Sequence, residues 1–222
     1  ITENSTFLED TKKRIPPKPP KKSTLTIEEI HKLYDINFDD KLLNNTKDLF
    51  IMICFLGLRW SDLVSFDVRM ISKNQNGELI YTYIPIKTED QSDIEVVVPI
   101  CEIVWEILNK YNMDIKKILP NNSDFNSRLR TICKESGLFN DITTKKDKNT
   151  NKKLFRHECF TCHKGRDTFI TNLVDTTPIK ILMGYSGHTK TSTLMKYVDK
   201  SRNVETKYIK IFDKQKNNTI LW

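Results

Sequence analysis

Apolar positions along the chain change their spacing twice, and the changes divide it into segments. Residues 1–24 have no usable pattern: Pro16, Pro17, Pro19 and Pro20 stand among Lys12, Lys13, Arg14, Lys18, Lys21 and Lys22. Prolines fix φ and lack a donor, and the like charges repel, so an extended linker or arm is expected there. Order begins at Thr26, with Glu29 three residues on, the spacing of a capping box that opens a short helix through about Tyr34. Leu49, Ile53 and Leu56 recur at helical spacing and predict a second helix over about 44–56. The pattern then shortens. Val68 to Ile71, Leu79 to Ile86 and Ile94 to Val98 read as three strands, with Asn76-Gly77 as the turn between the first two. From Cys101 onward helical spacing returns, interrupted by a lysine- and asparagine-rich tract at 144–153 that reads as a mobile loop. No internal repeat is present. The expected fold class is α+β, mainly α with a small three-stranded antiparallel β-sheet.

Composition narrows the function classes. The 222 residues are 38% hydrophobic and 29% charged, as in an ordinary globular chain with room for one substantial domain. Lysine and arginine number 36 against 29 acidic residues, a net charge of +7, and the pI is about 9.0. A polyanionic partner fits that balance, since lysines and arginines set against phosphates release condensed counterions. Many of the lysines lie in linker-like stretches, where they also serve solubility. Five cysteines are too few and too unpaired for a disulfide scaffold, which favours reduced thiols in a cytoplasmic setting. No stretch approaches the roughly 18 consecutive apolar residues of a membrane span, and residues 1–24 lack the pattern of a signal peptide.

Chemistry concentrates in a few basic residues followed by a tyrosine. Arg59 ends an apolar run in Phe55-Leu56-Gly57-Leu58-Arg59-Trp60-Ser61-Asp62-Leu63. Lys87 ends the second predicted strand, beside a hairpin turn. His163 and Arg166 stand three apart and would share a helix face. Gly187-His188 follows a short helix, and Tyr197 comes nine residues later in Met195-Lys196-Tyr197-Val198. Taken singly, each has an ordinary structural explanation: a surface arginine, a chance pair, a packed tyrosine. Their order and local contexts together carry the signal.

That combination resembles the tyrosine recombinase (phage-type integrase) family. Leu56 to Leu63 is similar to the family's first arginine box, and Lys87-Thr88 to its strand-borne lysine. The segment from His163 to Thr171 resembles its His-x-x-Arg box, Met183 to His188 its Leu-Gly-His segment, and Met195-Lys196-Tyr197 its closing Met-x-Tyr. The likeness spans roughly Thr24 to Tyr208. Two departures stand out: Asp167 occupies a position commonly histidine or arginine, and Tyr185-Ser186 displace the leucine usual before Gly-His.

The resemblance implies DNA strand cleavage and rejoining through a 3′-phosphotyrosine, with Tyr197 as nucleophile. Arg59 and Arg166 would bind the non-bridging oxygens of the scissile phosphate, because guanidinium offers planar paired donors and stays charged. His188 would add a hydrogen bond to that phosphate. His163 would accept the tyrosine's proton, and Lys87 would protonate the leaving 5′ oxygen. No cofactor, metal or ATP is implied. The implied partner is double-stranded DNA, bound by a homotetramer on paired sites, with no membrane, in a nucleoid-associated cytoplasmic setting. Domain organisation would be a linker at 1–24, a catalytic domain at 25–212 and a tail at 213–222, with an N-terminal core-binding domain absent from this fragment. An amphipathic segment from Val204 to Phe212 would pack on its own domain or dock on a neighbouring protomer. The implied role is integration of a mobile element; Xer-type chromosome dimer resolution and type IB topoisomerase-like relaxation are the alternatives.

Two metal readings compete for the same residues. Cys159-Phe160-Thr161-Cys162-His163 satisfies the Cys-x-x-Cys-His pattern of covalent haem attachment, which needs an exported protein and leaves Arg59, Lys87, His188 and Tyr197 unexplained. Cys159 and Cys162 could also begin a zinc site, but no second pair lies at finger-like spacing.

Overall fold

The computed structural model describes residues 24–86 and 95–197. It opens with helix α1 (Ile27–Asp35), whose capping box forms as the sequence indicates: Thr26 accepts from the Glu29 backbone and Glu29 accepts from that of Thr26. Helix α2 (Lys41–Leu56) starts three residues earlier than the apolar spacing alone predicts, because Asp40 caps it by accepting from Leu42 N at 2.7 Å. A short helix α3 (Trp60–Val64) follows.

The three-stranded antiparallel sheet is present, in the order β1 (Ile71–Lys73), β2 (Leu79–Tyr83), β3 (Val96–Pro99). Its strands are shorter than expected. Val68–Met70 is a turn of 3₁₀ helix rather than strand, since the Asp67 carboxylate accepts from Arg69 N and closes a local turn that outcompetes extended backbone. The Asn76-Gly77 turn forms, with Gly77 at φ +81°.

Helices α4 (Glu102–Lys110) and α5 (Asn122–Glu135) come next. The tract at 144–153, expected to be a loop, is a hairpin: β4 (Ile142–Lys146) pairs antiparallel with β5 (Lys153–Phe155). Thr143 Oγ1 donates to Leu154 O at 2.9 Å, and Asp147 N donates to Lys152 O at 2.8 Å, so backbone pairing prevails over a composition unfavourable to strands. Then come α6 (Cys162–Leu173), α7 (Ile179–Ser186) and α8 (Thr191–Leu194).

Helix α2 is the centre of the core. Leu49 to Ile53 are fully buried on all sides of it, so it reads as nearly continuous hydrophobe rather than as an amphipathic stripe. It packs against α1, α4, α5 and α6. Its approach to α6 is close, since a Cβ on Gly165 would lie 2.6 Å from Ile53 Cγ2. A buried arginine ties the start of the described chain to this body: Arg156 donates to Glu29 Oε1 at 2.6 Å and to Thr24 O, and lies over the Phe139 ring. Leu25 N donates to Thr168 Oγ1 on α6 at 3.1 Å. Among the described residues, no helix is long and apolar enough to cross a membrane.

Candidate active site

Two helix ends with the same local design build the site. Helix α2 stops at Gly57, φ +66°, and the chain runs through Leu58 to Arg59; helix α7 stops at Gly187, φ +61°, and the chain runs directly to His188. Left-handed backbone at these two caps suits glycine. Space forbids a larger residue as well: a Cβ would lie 2.5 Å from the Phe169 ring at Gly57 and 2.8 Å from Val96 Cγ2 at Gly187.

Arg166 joins these two ends. It projects from α6 with only 2% of its surface exposed. Its guanidinium donates to Gly57 O at 2.6 Å and to Ser186 O, both carbonyls at helix C-termini. Those carbonyls carry the negative end of each helix dipole, so a cation is favoured there. Burial, together with the charge of Arg59, still pulls the guanidinium down to about 10, which leaves it charged at neutral pH.

Arg59 is less confined, its side chain 26% exposed. Asp62, almost fully buried, holds its backbone by accepting from Arg59 N at 3.1 Å with one oxygen, while the other accepts from Ile86 N at 3.3 Å. Asp62 therefore anchors the arginine turn to the segment that follows β2. Among the described residues, Arg59 Nη1 and the buried Tyr83 Oη lack hydrogen-bond partners. The Tyr83 hydroxyl lies within the fields of Asp62, Arg166 and Arg59, and burial raises its pKa. Sequence reading did not single out Tyr83, and nothing local distinguishes it from an ordinary strand tyrosine.

His188 is held by Ser186. The serine hydroxyl donates to Leu182 O at 2.6 Å, which leaves its oxygen to accept from His188 Nδ1 at 2.8 Å. That bond selects the Nδ1–H tautomer and turns a basic Nε2 outward from the pair. Burial first, then Arg166, Arg59 and His163, lower the imidazole to about 4, so it is neutral at pH 7. A group whose folded pKa lies below its ordinary value near 6.5 takes up protons more readily when unfolded. His188 thus contributes stability that is fully present above about 6.5 and is lost as pH falls toward about 4. Thermal melts over that range should show a steeper decline for the native chain than for His188→Gln. Parallel declines would refute the assignment.

Tyr197 and His163 meet at a third side chain. The Tyr197 hydroxyl donates to Asp167 Oδ1 at 2.8 Å, and His163 Nε2 stands 3.4 Å from the same oxygen. His163 is otherwise exposed, with 65% of its side chain accessible. Lys164 occupies the other carboxylate oxygen at 2.7 Å. Burial raises the Tyr197 phenol well above its ordinary range, and the Asp167 carboxylate adds to the effect.

Of the six residues singled out in the sequence, Arg59, Arg166 and His188 are joined through Gly57 and Ser186. Tyr197 and His163 gather on the adjoining turn of α6. Lys87 lies outside the described residues, as do the 1–23 arm and the Val204–Phe212 segment. The two cysteines of the haem and zinc patterns part company: Cys159 Sγ faces Thr143 Oγ1 at 3.9 Å, whereas Cys162 Sγ faces Asn122 Oδ1 at 3.6 Å. Among the described residues, no three His, Cys, Asp or Glu side chains cluster as a metal site would need.

A mainly helical domain with a small three-stranded antiparallel sheet has the fold of a tyrosine recombinase catalytic domain. The chain belongs to the phage integrase family, whose model matches residues 23–203. Among solved structures it is similar to the XerH site-specific recombinase bound to palindromic difH substrate, with a TM-score of 0.54 and 15% identity over 86% of this chain. It is likewise similar to the Tn1549 transposon integrase in complex with a circular intermediate DNA, at 0.58 and 14% over 90% of this chain and 68% of that one. A lambda integrase dimer bound to a COC′ core site matches at 0.53 and 16%, over 82% of this chain and 61% of that one. The chain spans 53% of the XerH chain's length. No curated protein matches it in sequence.

Proposed function

We propose that this chain is the catalytic part of a site-specific DNA recombinase that cuts and rejoins strands through a 3′-phosphotyrosine at Tyr197. The observation that carries the reading is the Arg166 bridge. By holding Gly57 O and Ser186 O, it draws the turn bearing Arg59 and the turn bearing His188 to one side of α6. Tyr197 is hydrogen-bonded to the next residue on that helix.

The chemistry suits this set. Attack on a phosphodiester builds charge on its non-bridging oxygens, so fixed cations contribute most. Arg59 and Arg166 bind those oxygens. His188 presents Nε2 to the same group and donates once protonated, which the phosphate's own charge promotes by opposing the depression of its pKa. His163 receives the tyrosine's proton, and Lys87 supplies one to the leaving 5′ oxygen. The covalent intermediate keeps the energy of the broken diester, so rejoining needs no ATP.

Duplex DNA as partner is supported by charge as well as by the site. The β4–β5 hairpin sets Lys146 directly opposite Lys153, with Lys145, Lys148 and Lys152 exposed around them. Like charges paired across strands cost stability that an anionic backbone would recover. On paired sites the enzyme would act as a homotetramer. The drifted boxes and lysine-rich arm favour a mobile-element integrase over an Xer-type resolvase.

The test is to trap the enzyme on a pool of randomised, nicked duplex oligonucleotides and map the attached residue by mass spectrometry. A nucleotide on Tyr197 is expected. Attachment elsewhere, or none under conditions where the DNA is bound, would overturn the reading. Strand exchange beside plasmid relaxation on the selected sequences then separates recombination from topoisomerase-like turnover.

A further inference from the structure

Asp167 takes no part in the chemistry above, yet it is the side chain that holds the tyrosine. We propose that Asp167 is a positioning residue for strand cleavage: its carboxylate fixes the Tyr197 phenol in the site and keeps the phenol protonated until a phosphate is seated. The inference rests on the reading of Tyr197 as nucleophile, and deepens it.

The geometry leaves the phenol one arrangement. Asp167 is 7% exposed, with Oδ2 accepting from Lys164 Nζ at 2.7 Å and Oδ1 accepting from Tyr197 Oη at 2.8 Å. Burial alone would raise the carboxyl, but the hydrogen bonds from Lys164 and Tyr197 outweigh it and hold it ionised. An ionised carboxylate only accepts, so the tyrosine's hydrogen must lie between the two oxygens. Loss of that proton would leave phenolate and carboxylate facing each other at hydrogen-bond distance in a half-buried site, where like charges repel strongly.

Charged groups on every side enter the balance. His163 and Lys164 flank the carboxylate on α6. The guanidinium of Arg166 favours phenolate, against burial and Asp167. Arg59, from the start of α3, and His188, from the turn after α7, interact electrostatically with Arg166. A phosphate drawn to the arginines brings the phenol an electrophile. As the tyrosine oxygen bonds to phosphorus and the bond to the 5′ oxygen breaks, the tyrosine's proton passes to the unprotonated ring nitrogen of His163, whose Nε2 stands 3.4 Å from Oδ1, and the 5′ oxygen takes a proton from Lys87. Asp167, far more acidic than a phenol, orients this transfer and ends it unprotonated.

The proposal is read directly from the phenol's titration, followed by ultraviolet difference absorption of phenolate in the DNA-free chain. Subtracting the Tyr197→Phe titration isolates Tyr197. Free tyrosine is half ionised near about 10; Tyr197 in the native chain should remain protonated there. Asp167→Asn should raise its acid constant at least about tenfold, and Asp167→Glu, which keeps the charge, should restore the native titration. An ordinary titration in the native chain, or one that Asp167→Asn leaves unmoved, overturns the proposal. Should Asp167→Asn fail to fold, Asp167→Ser takes its place: a Tyr197 titration moved to lower pH supports the proposal, and one that matches the native chain refutes it. On the nicked DNA pool, Asp167→Asn should also move the pH dependence of adduct formation toward lower pH; an unmoved profile counts against it. A shifted titration without any adduct from the native chain would sink Tyr197's role as nucleophile, while leaving its coupling to Asp167 standing.

Discussion

Tyr197→Phe is expected to abolish covalent attachment to DNA while leaving DNA binding largely intact. Phenylalanine removes one oxygen and nothing else. The ring keeps its packing against the core, where Tyr197 is half-buried, so the fold should hold. The oxygen is both the proposed nucleophile and the donor to Asp167 Oδ1. Its loss therefore leaves the carboxylate with Lys164 as its remaining partner at hydrogen-bond distance and Arg59, Arg166 and His188 undisturbed. Mobility-shift binding should be within about twofold of the native chain, because affinity for DNA comes mostly from phosphate contacts that the tyrosine does not make. Denaturing gels should show no protein–DNA adduct at any incubation time. Adducts that persist would move the nucleophile elsewhere; Tyr185, three residues before His188, would be the next candidate to replace.

Arg166 carries the second large effect, in two separable parts. Arg166→Ala removes a buried cation and strands Gly57 O and Ser186 O, at a cost of about 1–3 kcal/mol for each carbonyl left unpaired. A marked fall in melting temperature is expected. Arg166→Lys keeps a charge but cannot span two carbonyls and still present paired donors to a phosphate. It should fold better than the alanine variant, yet form adducts on the order of 10²–10³ more slowly, the usual loss when one fixed donor to a developing charge is removed. Arg59→Ala is the control, since that side chain is partly exposed, its Nη1 lacks a hydrogen-bond partner among the described residues, and its ion pair with Asp62 is long at 3.9 Å. It should lose adduct formation with little change in melting temperature. Normal adduct formation by Arg59→Ala and Arg166→Lys would reduce both arginines to scaffolding.

Much of the candidate site could be proposed along the chain because its pieces are short and locally encoded. Gly57-Leu58-Arg59 and Gly187-His188 each place a glycine where a helix must end and a candidate site residue one or two positions after, which is a matter of neighbouring residues alone. Helix α1 was legible for the same reason, from Thr26 and Glu29. The errors came where a side chain or a distant strand settled what composition left open. Asp40 extended α2 beyond its apolar pattern, and Asp67 turned Val68–Met70 away from strand. Pairing across a turn built on Asp147 made a hairpin of a lysine-rich stretch that looks like loop.

Sequence by itself determined the fold class, the order of the boxes and the kind of chemistry they suit, because helix caps, turns and residue types act over a few positions. Only the tertiary structure decided which groups meet. Arg166 reaches a carbonyl 109 residues away and another 20 away, and Tyr197 finds Asp167 across 30 residues. None of these contacts follows from a local rule. They depend on how α6 seats against α2 and how α7 turns back onto the sheet, and that packing also decides which charges lose water. Hence the neutral His188, the lowered Arg166 and the raised Tyr197 phenol belong to the folded molecule, even though each residue could be named in advance.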